Sequence, residues 1–238
     1  MTPELVLLFI TTASVAFFHT VMGPDHYVPF IALGKHKSWS LKKTCLVVIV
    51  CALGHAVGSI LLGVVGIYFG LEFQVLSSFE GNRVVFAAWA MIAFGLIYGS
   101  WGLKKVFLRR PHEHWHAHDG VFHSHQHVHD EKHTHIHNPN DLDKRDSSAW
   151  ALFIIFVLGP CEPLIPLMML PAANESVIGV IGVIAIFFLV TLITMLGVVI
   201  VGFYSLNRAR FDFFSRFGST LTGGSITACG LLVIIFEI

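Results

Sequence analysis

Charged residues and cysteines are scarce in this chain, and both shortages limit the classes of protein to which it can belong. Asp, Glu, Lys and Arg make up 13 % of the 238 residues, whereas 55 % are hydrophobic. Apolar runs of about 20 residues or more, separated by short polar stretches, are typical of a helical protein that crosses a membrane several times. The four cysteines, Cys45, Cys51, Cys161 and Cys229, form no CxxC pair and lie in or beside apolar runs. No disulfide framework is therefore indicated.

Two further sequence signals are missing. The chain has no Walker A motif, so we expect no ATP hydrolysis. We also expect that the protein is not an enzyme. No basic residues precede the first apolar segment. We therefore expect this segment to be retained as a membrane span rather than removed as a signal peptide.

Six apolar segments predict six membrane-spanning helices, at residues 5–33, 44–70, 84–108, 149–170, 177–203 and 213–236. Several are longer than the roughly 20 residues that a span needs, so tilted or kinked helices are expected. Fourteen of the fifteen Lys and Arg residues fall in alternate loops, and only Arg83 lies on the other side. The positive-inside rule then predicts an inner-membrane or plasma-membrane protein with both termini outside and three basic loops in the cytoplasm.

A long polar stretch divides these segments into two groups of three. The predicted units are a first three-helix repeat at 1–108, a cytoplasmic loop at 109–148 and a second repeat at 149–238. The loop has too few apolar residues to bury a core, and we expect it to be disordered without metal. Its alternating histidines, with Asp and Glu nearby, are suited to chelating metal ions. The predicted loop ligands are His112, His114, His116, His118, His123, His125, His127, His129, His133, His135 and His137.

A short motif occurs twice inside apolar segments, as Gly23-Pro24-Asp25-His26 and as Gly159-Pro160-Cys161-Glu162. Proline lacks an N–H and disfavours helical geometry at the preceding residue, so helices 1 and 4 should be broken. Because each half has an odd number of spans, the second half must enter the membrane in the opposite orientation. The predicted fold is an all-α polytopic membrane protein, with six transmembrane helices in a 3+3 inverted repeat. Many transporters share this plan.

Metal-binding side chains lie inside the predicted spans: His19, Asp25, His26, His55, Cys161 and Glu162. An ionisable group in hydrocarbon costs on the order of 3 kcal/mol or more, which implies mutual pairing, a water-filled cavity or a bound cation. Imidazole, carboxylate and thiolate together suit a first-row divalent metal. Two members have ordinary alternatives, His55 as a hydrogen-bonded packing residue and Cys161 as a small buried hydrophobe.

The spacing of the first motif also requires a break. In an unbroken helix, His19 and His26 would lie about 10.5 Å apart along the axis. That separation is too large for both to bind one ion at roughly 2.1 Å. A single site therefore depends on the break at Gly23-Pro24.

The residues from His19 to His26 resemble the first-helix signature of the nickel/cobalt transporter families, including the urease-accessory-like membrane proteins, in which a His precedes an Asp-His pair. Gly54-His55 resembles their second-helix element, and the His-rich loop resembles that of the nickel/cobalt efflux proteins. The second motif is similar instead to the Pro-Cys element of the thiol-transferring membrane proteins of cytochrome c biogenesis. Those proteins carry a second cysteine in the first-repeat motif, where this chain has Asp25.

These patterns lead to the hypothesis of a secondary transporter for divalent transition metals. Ni2+ or Co2+ is the expected substrate, with Zn2+ or Fe2+ as alternatives, and the six intramembrane residues would form or gate the site. The His-rich loop favours export over import. Two other readings stay open: a membrane thiol-disulfide electron carrier using Cys161, and a metal sensor that transports nothing. We expect the lipid bilayer and metal ions as partners, and no nucleic acid. A homo-oligomer is compatible with the sequence.

Overall fold

The computed structural model describes residues 2–70, 73–108, 112–118, 121–127, 147–159, 163–174, 176–208 and 212–236. Its helices are α1 Pro3–Met22, α2 Val28–His36, α3 Leu41–Tyr68, α4 Phe73–Leu108, α5 Ser147–Leu158, α6 Leu164–Ala173, α7 Val177–Arg208 and α8 Asp212–Phe236. A 3-10 turn, Pro24–His26, joins α1 to α2. Two strands, β1 His112–His118 and β2 Val121–His127, precede α5.

Five helices in the described part of the chain are long and apolar enough to cross a membrane: Pro3–Met22, Leu41–Tyr68, Gln74–Lys104, Val177–Ser205 and Phe217–Phe236. The fourth predicted segment is different. It is occupied by α5 and α6, two shorter apolar helices. The predicted helical class is confirmed. Of the six predicted long spans, five are present as single long helices.

The break predicted in the first segment is present. α1 ends at Met22, and Gly23 leaves the helix with φ −84° and ψ 95°. Pro24 opens the 3-10 turn and Pro29 lies in the first turn of α2. Proline is tolerated at such starts because the N–H it lacks would have no helical partner there. The predicted second break falls between α5 and α6, and residues 160–162 lie outside the described part of the chain.

The third helix begins earlier than the sequence predicted. α4 starts at Phe73 rather than near Val84, so Glu80 and Arg83 lie inside a helix and not in a loop. Arg83 Nη1 is 3.1 Å from Glu80 Oε1. A hydropathy average treats the two charges as independent. In the helix they pair at positions i and i+3, which lowers the free-energy cost of placing them in an apolar segment.

The prediction of a disordered loop is wrong for the two strands. β1 and β2 pair as an antiparallel ribbon, in which three histidine pairs share Cα register: His112 with His127, His114 with His125 and His116 with His123. Cross-strand hydrogen bonds satisfy the main chain without a hydrophobic core, so a scarcity of apolar residues does not exclude a ribbon. The rest of the predicted loop, except the start of α5, lies outside the described residues.

Helices from different halves of the chain pack in pairs. α4 packs along α8, α1 against α7, and α3 against α5. Glycine allows the close approach of α4 and α8: a Cβ added at Gly223 on α8 would lie 2.5 Å from the Cα of Gly99 on α4. Small residues are the usual means by which membrane helices come this close. The packing surrounds the break in the first segment with α3, α4, α5 and α8.

Candidate metal centre at the first helix break

Three histidines converge where the first segment is broken. His19 lies in the last turn of α1, His26 ends the 3-10 turn, and His55 lies within α3. The ring centroids of His19 and His26 are 5.0 Å apart, and those of His26 and His55 are 5.6 Å apart. One ring nitrogen of each histidine lies within 4.8 Å of those of the other two. The break therefore brings together two rings that a straight helix would separate.

Hydrogen bonds at Nδ1 fix the orientation of two of these rings. His26 Nδ1 lies 3.2 Å from the Gly23 carbonyl oxygen, and His55 Nδ1 lies 3.3 Å from the Phe156 carbonyl oxygen. A carbonyl oxygen only accepts, so Nδ1 carries the proton in both rings. Nε2 then retains its lone pair, which is the form that binds a metal ion.

The Nε2 atoms of the three histidines have no hydrogen-bond partner in the part of the chain that the structure describes. Within the described residues, the Nε2 atoms of His19, His26 and His55 are buried and make no hydrogen bond. His26 is 3 % exposed and His55 is 5 % exposed. Native structures leave few buried polar atoms unsatisfied, and such groups call for a bound ligand or a functional role.

Asp25 supports the cluster from its edge. Its Oδ1 lies 3.2 Å from His26 Nδ1, and its side chain is 25 % exposed. A carboxylate that accepts from the second nitrogen of a histidine makes the ring a better metal ligand. Asp25 also lines the neighbouring cavity, so it brings a negative charge close to any cation held there.

A cavity of about 40 Å³ lies beside the histidines. Its other walls include Val84 and Met91 of α4 and Val233 of α8. A water molecule needs roughly 10 to 15 Å³ of such space, so the cavity has room for an ion with a water ligand. Its largely apolar walls leave the ring nitrogens and Asp25 as the principal polar groups. Neutral imidazoles suit Zn2+, Ni2+, Cu2+ and Fe2+ rather than Mg2+ or Ca2+.

The proline of the second motif leaves a main-chain oxygen of α5 free to bind His55. Pro160 has no N–H with which to bind the carbonyl of Phe156, and the released oxygen accepts a hydrogen bond from His55. Gly159 lines the cavity. The predicted ligands Cys161 and Glu162 lie outside the described residues.

Arg83 belongs to this region, although the sequence reasoning treated it as a loop residue. Its Nη2 donates to the carbonyl oxygens of Val157 at 3.0 Å and of Gly159 at 3.4 Å. The signal that would have revealed it is the i, i+3 spacing of Glu80 and Arg83 beside a long apolar run.

The predicted loop ligands are separate from this cluster in the chain. Seven of them lie on β1 and β2: His112, His114, His116, His118, His123, His125 and His127. The other four, His129, His133, His135 and His137, lie outside the described residues.

Long apolar helices around a buried polar cluster define an integral membrane protein. The chain belongs to the family described as cytochrome C biogenesis protein transmembrane region, whose model matches residues 29–235. Comparison with curated proteins found no match, and comparison with solved structures found none either.

The family match supports only one of the two resemblances found in the sequence, to thiol-transferring membrane proteins and to nickel/cobalt transporters. It supports the one carried by the second motif and gives no support to the nickel/cobalt transporter resemblance. The family also favours the thiol-carrying alternative over metal transport. The matched residues contain Cys161 and His55 but begin after the first motif, so His19, Asp25 and His26 lie outside the match.

Proposed function

We propose that the protein binds a divalent transition-metal ion at His19, His26 and His55 and carries it across the membrane. The observation that carries this proposal is the set of three buried Nε2 atoms that make no hydrogen bond to any described residue. Two of them belong to rings whose Nδ1 proton is already engaged. Ni2+ and Co2+ are the first candidates because of the resemblance of the first motif, and Zn2+ and Fe2+ follow.

Burial deprives these three nitrogen atoms of the hydrogen bonds that water would otherwise provide. A buried polar atom without a partner costs about 1 to 3 kcal/mol. Three such nitrogens at one point are therefore unfavourable unless a ligand compensates them. A metal ion compensates all three at once, and the carboxylate of Asp25 offsets part of its charge.

Transport, rather than static binding, is supported by the way in which the halves pack. Exchanging the halves replaces α1 by α5, α2 by α6, α3 by α7, and α4 by α8. The contact of α1 with α7 then becomes the contact of α3 with α5, and both exist. Such reciprocity, together with discontinuous helices at corresponding places, favours the 3+3 inverted repeat, in which rocking of the halves alternates access to a central site.

Export is the preferred direction. The positive-inside rule assigns the His-rich segment to the cytoplasm, where it would capture ions before they reach the cluster. Import through the same site remains the alternative for this class.

Reconstituted vesicles with a trapped metal-sensitive dye test the proposal. We expect flux of at least one of Ni2+, Co2+, Zn2+ and Fe2+, and we expect His26→Ala and His55→Ala to abolish it. His36→Ala is the matched control because His36 lies on α2, outside the cluster, with its ring edge-to-face against Tyr98 of α4. Absence of flux for all four ions in both directions would refute transport.

A thiol-disulfide electron carrier is the second candidate, and the family match favours it. Its reactive group is Cys161. Two-electron exchange needs a second thiol to resolve the mixed disulfide, and the first motif has Asp25 in the corresponding position. Cys45, Cys51 and Cys229 are the described free cysteines, and the last two are buried.

Substitutions at two positions, Cys161 and Asp25, separate these candidates. Cys161→Ser should abolish thiol exchange, measured by trapping mixed disulfides and alkylating free thiols, and Asp25→Asn should leave it intact. Metal transport predicts that Asp25→Ala abolishes flux. Loss of thiol exchange in Cys161→Ser with no metal flux in the wild type would establish the second candidate.

A further inference from the structure

An ion pair on α4 lies beside the end of α5. Arg83 and Glu80 are joined at 3.1 Å, and their side chains are 20 % and 3 % exposed. Arg83 is directed away from its own helix, since its Nη2 reaches the carbonyl oxygens of Val157 and Gly159. The pair therefore connects α4 to the broken fourth segment.

The end of α5 obtains its hydrogen-bond donors from two other helices. The last carbonyls of a helix have no partner within it, and Pro160 adds no N–H. His55 of α3 donates to Phe156, and Arg83 of α4 donates to Val157, the next residue. His55 and Arg83 are thus linked indirectly, because the carbonyl groups that they bind belong to adjacent residues of α5.

The sequence of α3 leaves room for this arrangement. A Cβ added at Gly58 would lie 2.9 Å from Arg83 Nη2 and 3.1 Å from the Val157 carbonyl oxygen. Gly58 follows His55 by three residues and so lies on the same face of α3. Any larger residue there would press on the contact between Arg83 and α5.

We infer that Arg83 is a positioning residue for the metal centre: by holding the end of α5, it keeps the Phe156 carbonyl against His55 Nδ1 and so directs His55 Nε2 to the cavity. Arginine suits this role because its planar fork provides several donors at fixed angles, whereas lysine provides a compact point charge. Glu80 balances the guanidinium charge, which would otherwise repel a cation bound nearby.

A first test needs no metal. In protein labelled with 15N at histidine, the His55 signal, identified by its loss in His55→Gln, should report a protonated Nδ1. Arg83→Met should shift that signal away from this tautomer, and Arg83→Lys should shift it partly. Gly58→Ala should act in the same direction by displacing the guanidinium, while Gly81→Ala on α4 should change nothing, because its added Cβ meets no atom within 4 Å.

A second test uses Co2+ binding and depends on the proposed function. Supporting hydrogen bonds change metal affinity by about 10- to 100-fold, so Arg83→Met should weaken Co2+ binding by about 10-fold. If Arg83 acts through His55, adding Arg83→Met to His55→Ala should cause no further loss. All variants keep the His-rich segment, so differences between them arise in the core.

The outcomes distinguish this inference from the proposed function. An unchanged His55 signal in both Arg83→Lys and Gly58→Ala, or additive losses in the Co2+ cycle, would overturn the role of Arg83. A wild-type protein that binds no Co2+ would count against the metal centre, yet the metal-free spectra would still decide whether Arg83 positions His55. If Arg83→Met does not fold, the other two variants answer the same question.

Discussion

The Nδ1 of His55 lies 3.3 Å from the carbonyl oxygen of Phe156, although the two residues are 101 positions apart in the chain. The proline of the second motif leaves this carbonyl without a helical donor, and a histidine that faces the first motif supplies one. A residue just before the second motif and a histidine beside the first motif are therefore joined through a main-chain oxygen and an imidazole. A break in one segment orients a ligand that belongs to another.

Removing one histidine of the cluster should cost most of its metal affinity. With His26→Ala, two imidazoles remain, and we expect Co2+ or Ni2+ affinity to fall by about 100-fold or more, at least as much as the loss of a supporting contact. Equilibrium dialysis with elemental analysis measures this. His36→Ala serves as the control, and equal affinities in the two variants would contradict the cluster as the binding site.

Gly23→Ala should distort the centre without removing a ligand. The added Cβ would lie 2.5 Å from His26 Nδ1 and 2.8 Å from Asp25 Oδ1, so the ring must move. Overpacking of this kind costs about 1 to 3 kcal/mol, and thermal unfolding in detergent should show it together with weaker metal binding. Gly197→Ala on α7, where the new methyl group meets nothing within 4 Å, should retain both properties.

Pro160→Ala should weaken metal binding through the backbone. The new N–H gives the Phe156 carbonyl a helical donor that competes with His55 Nδ1. We expect a lower Co2+ affinity and a shift of the His55 nitrogen signal. Pro171→Ala removes a proline from inside α6, away from the cavity walls. The same loss in both variants would mean that the effect is general destabilisation.

Deleting residues 112–137 should separate the two kinds of metal binding. The deletion removes eleven histidines and leaves His19, His26 and His55 in place. We expect the total bound metal to fall while one ion per chain remains at the core. Elemental analysis of the purified protein gives the stoichiometry, and loss of all bound metal would place binding entirely in the His-rich segment.

Much of the architecture follows from local chemistry. The composition predicts a helical membrane protein, and the break at Gly23-Pro24 lies where the missing N–H of proline places it. Helix starts were harder to predict. Glu80 and Arg83 lower the average hydropathy before Val84, and only their pairing within α4 shows that the helix already includes them.

In the His-rich segment, the structure contains two strands where the sequence predicted disorder. A lack of apolar residues predicts that no core forms, but an antiparallel ribbon needs only register between two strands. Composition carries no information about that register.

The sequence alone was sufficient for the membrane class, for the break in the first segment and for His19, Asp25 and His26 as the polar groups beside it, because proline geometry and the cost of charge in hydrocarbon act locally. Tertiary structure decided which of these groups meet. His55 joins the cluster only because α3 packs against α5, and its tautomer depends on a carbonyl oxygen from the other half of the chain. The role of Arg83 likewise exists only in three dimensions, since its acceptors on α5 lie 74 and 76 residues away.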